Sequence, residues 1–388
     1  MYASNNGMRI SILLESFQPE YWGGRETRWK NIIQEISKDY PLTVFGDFTR
    51  CSPEVAFPNI KARFINIGPL PKMYSANGNR SLRHALIYTF KSLKLLKFRA
   101  DVILTDQTPL ITIPVLRIIS LLSKSQLSIT WHEVWSLKTW FRYSKFLGIL
   151  GFFLQGVAIL FSKNIIVPSR QVSLDLSSSL FSKESKVIPN GVRVFDQTSE
   201  KQIVREKGGQ FRLLYVGRLI KHKNCDFLIE TMRFALQKNR NWHLTIIGDG
   251  PLKSQLFESV RLYELHQYIE FQSNLPEEEL IKEYARSDVF FFPSQREGFG
   301  ISVAEAISVG LPVVLYDVIE NAATALITGK DVGIKVEHLE VEEWVRAIEE
   351  ALPLKSTDKS RSGGELDAHT WKSISEDLSI YLQSLRRI

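Results

Sequence analysis

Asp288-Val-Phe-Phe-Phe-Pro293 leads, three residues on, into Glu297-Gly-Phe-Gly-Ile-Ser-Val-Ala-Glu305. The first run is short, aromatic and β-branched and is stopped by proline, the pattern of a buried strand. From Gly300 to Val309 the spacing becomes helical, and it ends at Gly310 with Pro312 just beyond. Glu297 therefore lies in the loop off the strand's carboxyl end, and Glu305 about one turn into the helix. Between them Gly298, Phe299, Gly300 and Ile301 leave backbone N–H groups at a helix N-terminus to face an anion. Two carboxylates that each take a pair of hydroxyls, beside a phosphate-receptive helix end, describe a pocket for a nucleotide sugar.

Outward from this stretch, strand-like and helix-like segments alternate along the chain. Arg9–Leu14, Leu42–Phe45, Arg63–Ile67, Val102–Thr105, Leu127–Trp131 and Ile165–Val167 are short apolar runs. Helical spacing separates most of them, around Thr27–Ser37, Leu82–Phe98, Leu110–Leu122, Phe146–Phe161 and Gln171–Leu180. A second series runs through Leu213–Val216, Leu244–Ile247, Ile269–Phe271, Val289–Phe292 and Val313–Leu315. Such alternation predicts an α/β protein with parallel sheets covered on both faces. The polar stretch 193–210 reads as the linker between two domains.

A chain of 388 residues suits two domains, and 44% hydrophobic with 23% charged residues is the composition of a soluble globular protein. Cys51 and Cys225 stand far apart with no partners at metal-ligand spacing, which argues against a disulfide scaffold or structural zinc and fits a reducing cytoplasm. The start of the chain has no basic n-region or signal-like apolar stretch. Residues 1–190 hold 24 Lys+Arg against 12 Asp+Glu, a balance of +12, and the remainder 25 against 30, a balance of −5. Residues 55–100 carry nine basic residues and no carboxylate, so this half attracts anionic partners.

Open α/β sheets bind ligands beyond the carboxyl ends of their strands, and the polar and glycine residues of interest fall there. Gly23-Gly24 follows the first strand and lets the backbone approach a phosphate. His132-Glu133 follows Leu127–Trp131, Gly217-Arg218 follows Val216, and Gly248-Asp-Gly250 follows Ile247. Arg218 offers a planar fork and Lys223 a compact charge, a pair suited to a leaving diphosphate where the protein supplies the counter-charge without a metal.

The residues in hand resemble the family-4 retaining glycosyltransferases. Glu297 and Glu305 match that family's Glu-x7-Glu, flanked by E-G-F-G and G-L-P-V-V. Gly217-Arg-Leu-Ile-Lys-His-Lys-Asn224 is similar to its G-R-x4-K-G motif, with Asn224 where glycine is usual. That departure leaves open the local turn and the choice among Lys221, His222 and Lys223. The resemblance implies the GT-B fold, two Rossmann-like domains facing each other across a cleft. It gives 1–192 as the acceptor domain, 193–370 as the nucleotide-sugar domain, and 371–388 as a helix crossing back to the first. It implies that Glu297 holds donor-sugar hydroxyls, Glu305 the ribose, His132 the reacting face of the sugar, and Gly248 and Gly250 the turn near the base. Glu133 is a candidate to orient the His132 ring or to touch acceptor. Asn190-Gly191 resembles the domain-boundary turn. The implied reaction is transfer with retention from a UDP- or GDP-sugar, with no metal and no cofactor. Catalysis would rest on Arg218 and Lys223 as counter-charge and on His132 and Glu297 for positioning.

For the acceptor, Leu82, Leu86, Phe90, Leu93 and Leu96 follow helical spacing, with Arg80, Arg83, Lys91 and Lys94 mostly off that stripe, the pattern of a basic amphipathic helix at an anionic membrane. The alternative is that this helix and the uncharged Phe146–Ser162 simply cover the sheet. Phe146–Ser162 is short for a span and holds three glycines, which argues against a transmembrane helix. The expectation is a cytoplasmic enzyme, peripheral on the inner membrane face, acting on a lipid-linked or saccharide acceptor in envelope polysaccharide or glycolipid synthesis. No nucleic-acid module is recognisable. The rivals are a sugar-nucleotide epimerase of the same fold and a non-catalytic partner subunit.

Overall fold

In the computed structural model every strand pairs in parallel with its neighbours, in one sheet of seven strands and one of six. The structure describes residues 7–16, 23–74, 80–143, 145, 147–192, 210–273, 275–354 and 369–386. The linker expected at 193–210 falls almost wholly outside them, as does Phe146. The chain divides into two compact units, Met1–Asn190 with Trp371–Ile388, and Gly191–Thr370.

The first unit runs β1 (Ile10–Ser16), α1 (Gly24–Ile36), β2 (Leu42–Asp47), α2 (Pro53–Ala56), β3 (Arg63–Asn66), α3 (Leu82–Ser92) and, after a 3-10 turn at Leu93–Lys97, β4 (Val102–Asp106). It continues through α4 (Thr112–Leu122), β5 (Gln126–Thr130), α5 (Leu137–Tyr143), α6 (Leu147–Phe161), β6 (Asn164–Val167), α7 (Arg170–Ser177) and β7 (Lys186–Val187). The strand order is β3-β2-β1-β4-β5-β6-β7, so the chain steps outward from β1 to β3 and then crosses back to β4. Right-handed crossovers put connections of opposite direction on opposite faces. Accordingly α3 packs beside α4 and α4 beside α6 on one face, while α1 packs against the final helix on the other. Ile12, Leu13, Leu127 and Ile129 are fully buried because both faces of the sheet are covered.

The second unit runs β8 (Phe211–Val216), α8 (Cys225–Gln237), β9 (Trp242–Ile247), α9 (Lys253–Leu262), β10 (Ile269–Gln272), α10 (Glu277–Arg286), β11 (Val289–Phe292), α11 (Ile301–Ser308), β12 (Val313–Tyr316), β13 (Gly333–Val336) and α12 (Val341–Ala351). Its order is β10-β9-β8-β11-β12-β13. Phe290, Phe291 and Phe292 of β11 are buried in its core with Tyr215 and Trp344. The last helix, α13 (Trp371–Arg386), belongs to the first unit.

Sequence periodicity missed β7, β13 and α5, which are short or lie in composition that also suits a loop. It also placed the start of α1 at Thr27, whereas Gly23 caps the helix in an extended conformation and Gly24 opens it.

Candidate functional site

In the second sheet the strand order reverses between β8 and β11, so the loops off their carboxyl ends diverge around a crevice, where ligands of such sheets bind. The Lys223 ammonium, in the turn after β8, forms an ion pair with the Glu297 carboxylate in the loop after β11. These side chains are only 13% and 12% exposed, and the Lys223 nitrogen also lies over the Phe292 ring at 5.6 Å. A largely buried pair of this kind needs each partner, because either charge alone would be desolvated without compensation.

The backbone explains why the loops meet. Asn224 takes the left-handed conformation (φ 51°, ψ 43°), which glycine adopts freely and asparagine tolerates. Its side-chain amide donates to the Pro293 carbonyl at 2.9 Å, while the Gln295 N–H donates to the His222 carbonyl at 2.9 Å. The unusual asparagine thus keeps the turn and adds a tie between the loops. It leaves Lys223, the last residue of the turn, paired with Glu297, while Lys221 is exposed.

Gly300 caps α11 at φ 90°, and a Cβ there would come within 2.5 Å of Ala323 Cβ. The backbone of Glu297 is clamped from the loop after β12: its N–H donates to Glu320 O at 3.0 Å and its carbonyl accepts from Ala322 N–H at 3.0 Å. Buried Asn321 holds that clamp, donating to Ser294 O at 3.1 Å and Tyr316 O at 2.8 Å. Glu305 is buried on α11 and accepts from the Tyr284 hydroxyl of α10 at 3.0 Å.

Charge is concentrated here. Burial, with help from Lys223, Arg296 and Arg218, pushes the His222 imidazole down to about 2, so it stays neutral among three cations. Burial, and next the neighbouring Cys225, raise the Tyr215 hydroxyl well above its usual value, with Glu297 adding to the effect and Arg218 opposing it. Gly248 and Gly250 have a packing role of their own: a Cβ would meet Gly217 O at 1.9 Å and Leu219 O at 2.4 Å.

The first unit has its own point of reversal, between β1 and β4. His132, off β5, is 23% exposed, and its Nε2 lies 2.7 Å from Asp106 Oδ1 at the end of β4. The same oxygen accepts from Trp29 Nε1 at 2.8 Å. Gln107 fixes the backbone: its Oε1 accepts from His132 N–H at 2.6 Å, and its amide donates to Glu133 O at 2.9 Å. Asp106, not Glu133, therefore orients the ring. Asp106 sits at the same kind of strand end as the residues singled out from the sequence, which was the signal that could have found it.

Beside this lies a buried ionic cluster. Glu15 accepts from Arg25 at 2.6 Å and from Arg80 at 2.6 Å, and Arg25 also reaches Glu26 at 2.6 Å. Burial alone would raise the Glu15 carboxyl, but Arg80 and Arg25 hold it well below the usual range. Arg80, exposed and just ahead of α3, is also tied to the buried Glu15 carboxylate. Lys91 and Lys94 donate to Pro69 O at 2.8 Å and Asn66 O at 2.9 Å, and Arg83 is exposed. Gly23 and Gly24 lie at the N-terminus of α1, with residues 17–22 before them outside the described residues.

Among the described residues there is no group of three or more His, Cys, Asp or Glu side chains that could hold a metal ion. No helix there is long and apolar enough to cross a membrane.

Two parallel sheets of this order, each with a point of reversal, are the architecture of the GT-B fold. Residues 22–194 match the family model for Glycosyltransferase Family 4 and residues 196–362 that for Glycosyl transferases group 1. The chain belongs to the family-4, group 1 glycosyltransferases. It is 31% identical over 182 residues to the exopolysaccharide phosphotransferase SCO2592 of Streptomyces coelicolor, covering 45% of this chain and 18% of that protein. It is 26% identical over 223 residues to the capsular polysaccharide biosynthesis glycosyltransferase CapM of Staphylococcus aureus, covering 50% of this chain and 57% of that one. The matched segments therefore span less than two thirds of either relative. Among solved structures, Anabaena HepE in complex with UDP and glucose superposes with a TM-score of 0.70 at 18% identity, over 97% of this chain and all of that one.

Proposed function

We propose that this protein is a retaining glycosyltransferase that moves a sugar from a UDP- or GDP-sugar to a saccharide or lipid-linked acceptor in envelope polysaccharide or glycolipid synthesis. The observation that carries this reading is the Lys223–Glu297 pair, which joins the loops off β8 and β11 where the sheet order reverses. Arg218 and Glu305 flank it on the same carboxyl edge. Polysaccharide biosynthesis in the name of CapM and UDP in the HepE complex support it.

On this reading Lys223 exchanges its partner. With no donor it is neutralised by Glu297; an arriving diphosphate takes the ammonium and the Arg218 fork, and frees Glu297 to accept sugar hydroxyls. Glu305, fixed by Tyr284, accepts the ribose hydroxyls. Gly23, Gly24, Gly298, Phe299, Gly300 and Ile301 present backbone toward phosphate, with Gly248 and Gly250 near the base. His132, held by Asp106, meets the reacting face of the sugar. The bond from the anomeric carbon to the diphosphate oxygen breaks, and the acceptor oxygen bonds to the same face of that carbon. The acceptor's proton passes to the departing phosphate. Catalysis is charge stabilisation and positioning, with no metal and no cofactor.

The test uses the purified full chain with a panel of UDP-, GDP- and ADP-sugars. One UDP- or GDP-sugar is expected to raise Tm by mass action and to release its nucleoside diphosphate when acceptor is supplied. Absence of stabilisation by every UDP- and GDP-sugar, or wild-type transfer by Glu297→Ala, would overturn the reading. Diphosphate release with no dependence on acceptor would favour the epimerase.

A further inference from the structure

The helices α3, α4 and α6, which lie side by side on one face of the first sheet, all turn large apolar side chains to solvent. On α3 the side chains turned to the sheet are His84, Tyr88 and Ser92, while Leu82, Leu86 and Phe90 are turned to solvent, Phe90 at 73% exposure. On α4, Ile113, Leu116 and Ile119 are buried, yet Ile118, Leu121 and Leu122 stand outward, Leu122 at 69%. On α6 the inward positions include Gly151, Gly156 and Ala158, and the outward ones Leu150, Phe153, Val157 and Leu160. Its glycines are there for close packing: a Cβ on Gly151 would meet the Trp140 ring at 2.3 Å, and one on Gly156 the Phe181 ring at 2.1 Å. Large apolar side chains turned outward on all three helices depart from the pattern of a helix that only covers a sheet, whose outer face is polar. Of the 27 large hydrophobic side chains exposed among the described residues, 16 belong to α3 with its 3-10 turn, α4, α5 and α6. A contiguous exposed apolar area on that scale marks an interaction surface.

The charges around it identify the partner. Residues 82–100, 107–132 and 134–174 contain no Asp or Glu. The three helices run in the same direction, each linking parallel strands, so their carboxyl ends line up along one edge of the face. Lys97, Lys124 and Lys163, all exposed, follow those ends. Toward the opposite edge stand Arg83 and, on α5, Lys138 and Arg142, also exposed. An apolar face whose helices carry cations on long, flexible stems and no carboxylate of their own matches a bilayer bearing anionic headgroups: apolar side chains enter the acyl boundary while the amines stay among phosphates.

We propose that the α3–α4–α6 face docks on an anionic phospholipid membrane, with Leu86, Phe90, Leu121 and Phe153 entering its surface. This deepens the reading of a lipid-linked acceptor and rests on it only for the location of the work.

The experiment is co-sedimentation of the purified full chain with vesicles of phosphatidylcholine alone or with added phosphatidylglycerol, at moderate salt. Binding is expected with the anionic vesicles and about tenfold less with neutral ones. Phe90→Ser with Phe153→Ser, at exposed positions, should lower binding about tenfold, with the thermal melt unchanged. Lys97→Glu, Lys124→Glu and Lys163→Glu together should lower it and abolish the lipid-charge preference. Absence of binding to either vesicle would overturn the proposal. So would binding indifferent to both sets of variants, or a dimer by light scattering that the apolar pair dissolves while vesicle binding persists. The assay needs no donor, so Glu297→Gln should sediment like wild type, and failure of transfer and failure of docking are read separately.

Discussion

The Nε2 atom of His132 lies 2.7 Å from Oδ1 of Asp106, a buried carboxylate one strand away that also accepts from Trp29 Nε1. The carboxylate only accepts, so Nε2 carries the hydrogen of this bond, and the ring is held in one orientation.

Asp106→Asn replaces one accepting oxygen with a donor and releases that orientation. The expected outcome is a fall in kcat of about 100-fold, with the KM for donor little changed and the melt near wild type. An unchanged kcat would show that the bond does not position His132 for the reaction.

Lys223→Met leaves the Glu297 carboxylate in its largely buried place without its cation. Glu297→Gln removes the opposite charge. Each is expected to lower stability by about 2 kcal/mol and to abolish transfer, measured by chemical denaturation and by acceptor-dependent diphosphate release. Lys221→Met, at an exposed neighbour, should retain wild-type turnover; its inactivity would mean that the wrong lysine has been assigned.

Gly300→Ala forces a side chain into a left-handed backbone and against Ala323. A loss of about 2 kcal/mol is expected, together with weaker stabilisation by nucleotide sugar, because the N-terminus of α11 shifts. A melt and ligand response equal to wild type would refute the account of this cap.

Glu15 gives a prediction about acid. Unfolded, its carboxyl takes up a proton near its ordinary value of 4.5; folded, beside Arg80 and Arg25, it does so only well below that. The cluster's stabilisation is thus fully present above 4.5 and shrinks as pH falls below it, toward the depressed folded value. Glu15→Gln should cost about 3 kcal/mol at neutral pH, and the gap to wild type should narrow on acidification. Equal acid slopes for the two proteins would show that Glu15 does not supply this dependence.

Much of the second unit was legible without coordinates. The strand into Phe292, the glycine cap at Gly300 and both carboxylates follow from local spacing, since a strand, a turn and a helix start are each specified within a few residues. The departure at Asn224 was visible as well, but its consequence was not: the left-handed turn and the bond to Pro293 O join residues 69 apart.

The first unit was legible in its strands and less so in its surface. A stripe such as Leu82, Leu86, Phe90 shows that a helix has two faces, and periodicity is silent on which of them meets the sheet. The sheet accepts His84 and Tyr88 because the interior gives them partners, among them the Pro71 carbonyl 2.8 Å from His84 Nδ1. The ion pair of Arg80 was invisible for the same reason, since its partner Glu15 is 65 residues away.

By itself the sequence determined the alternation of strand and helix, the placement of the candidate site residues at strand ends and the family, because these depend on backbone propensity and turn chemistry over short spans. Only the tertiary structure decided which charges neutralise one another, which carboxylate holds His132 and which way α3, α4 and α6 turn their apolar sides. Each of those depends on desolvation, and a group is desolvated by neighbours that are distant in the chain.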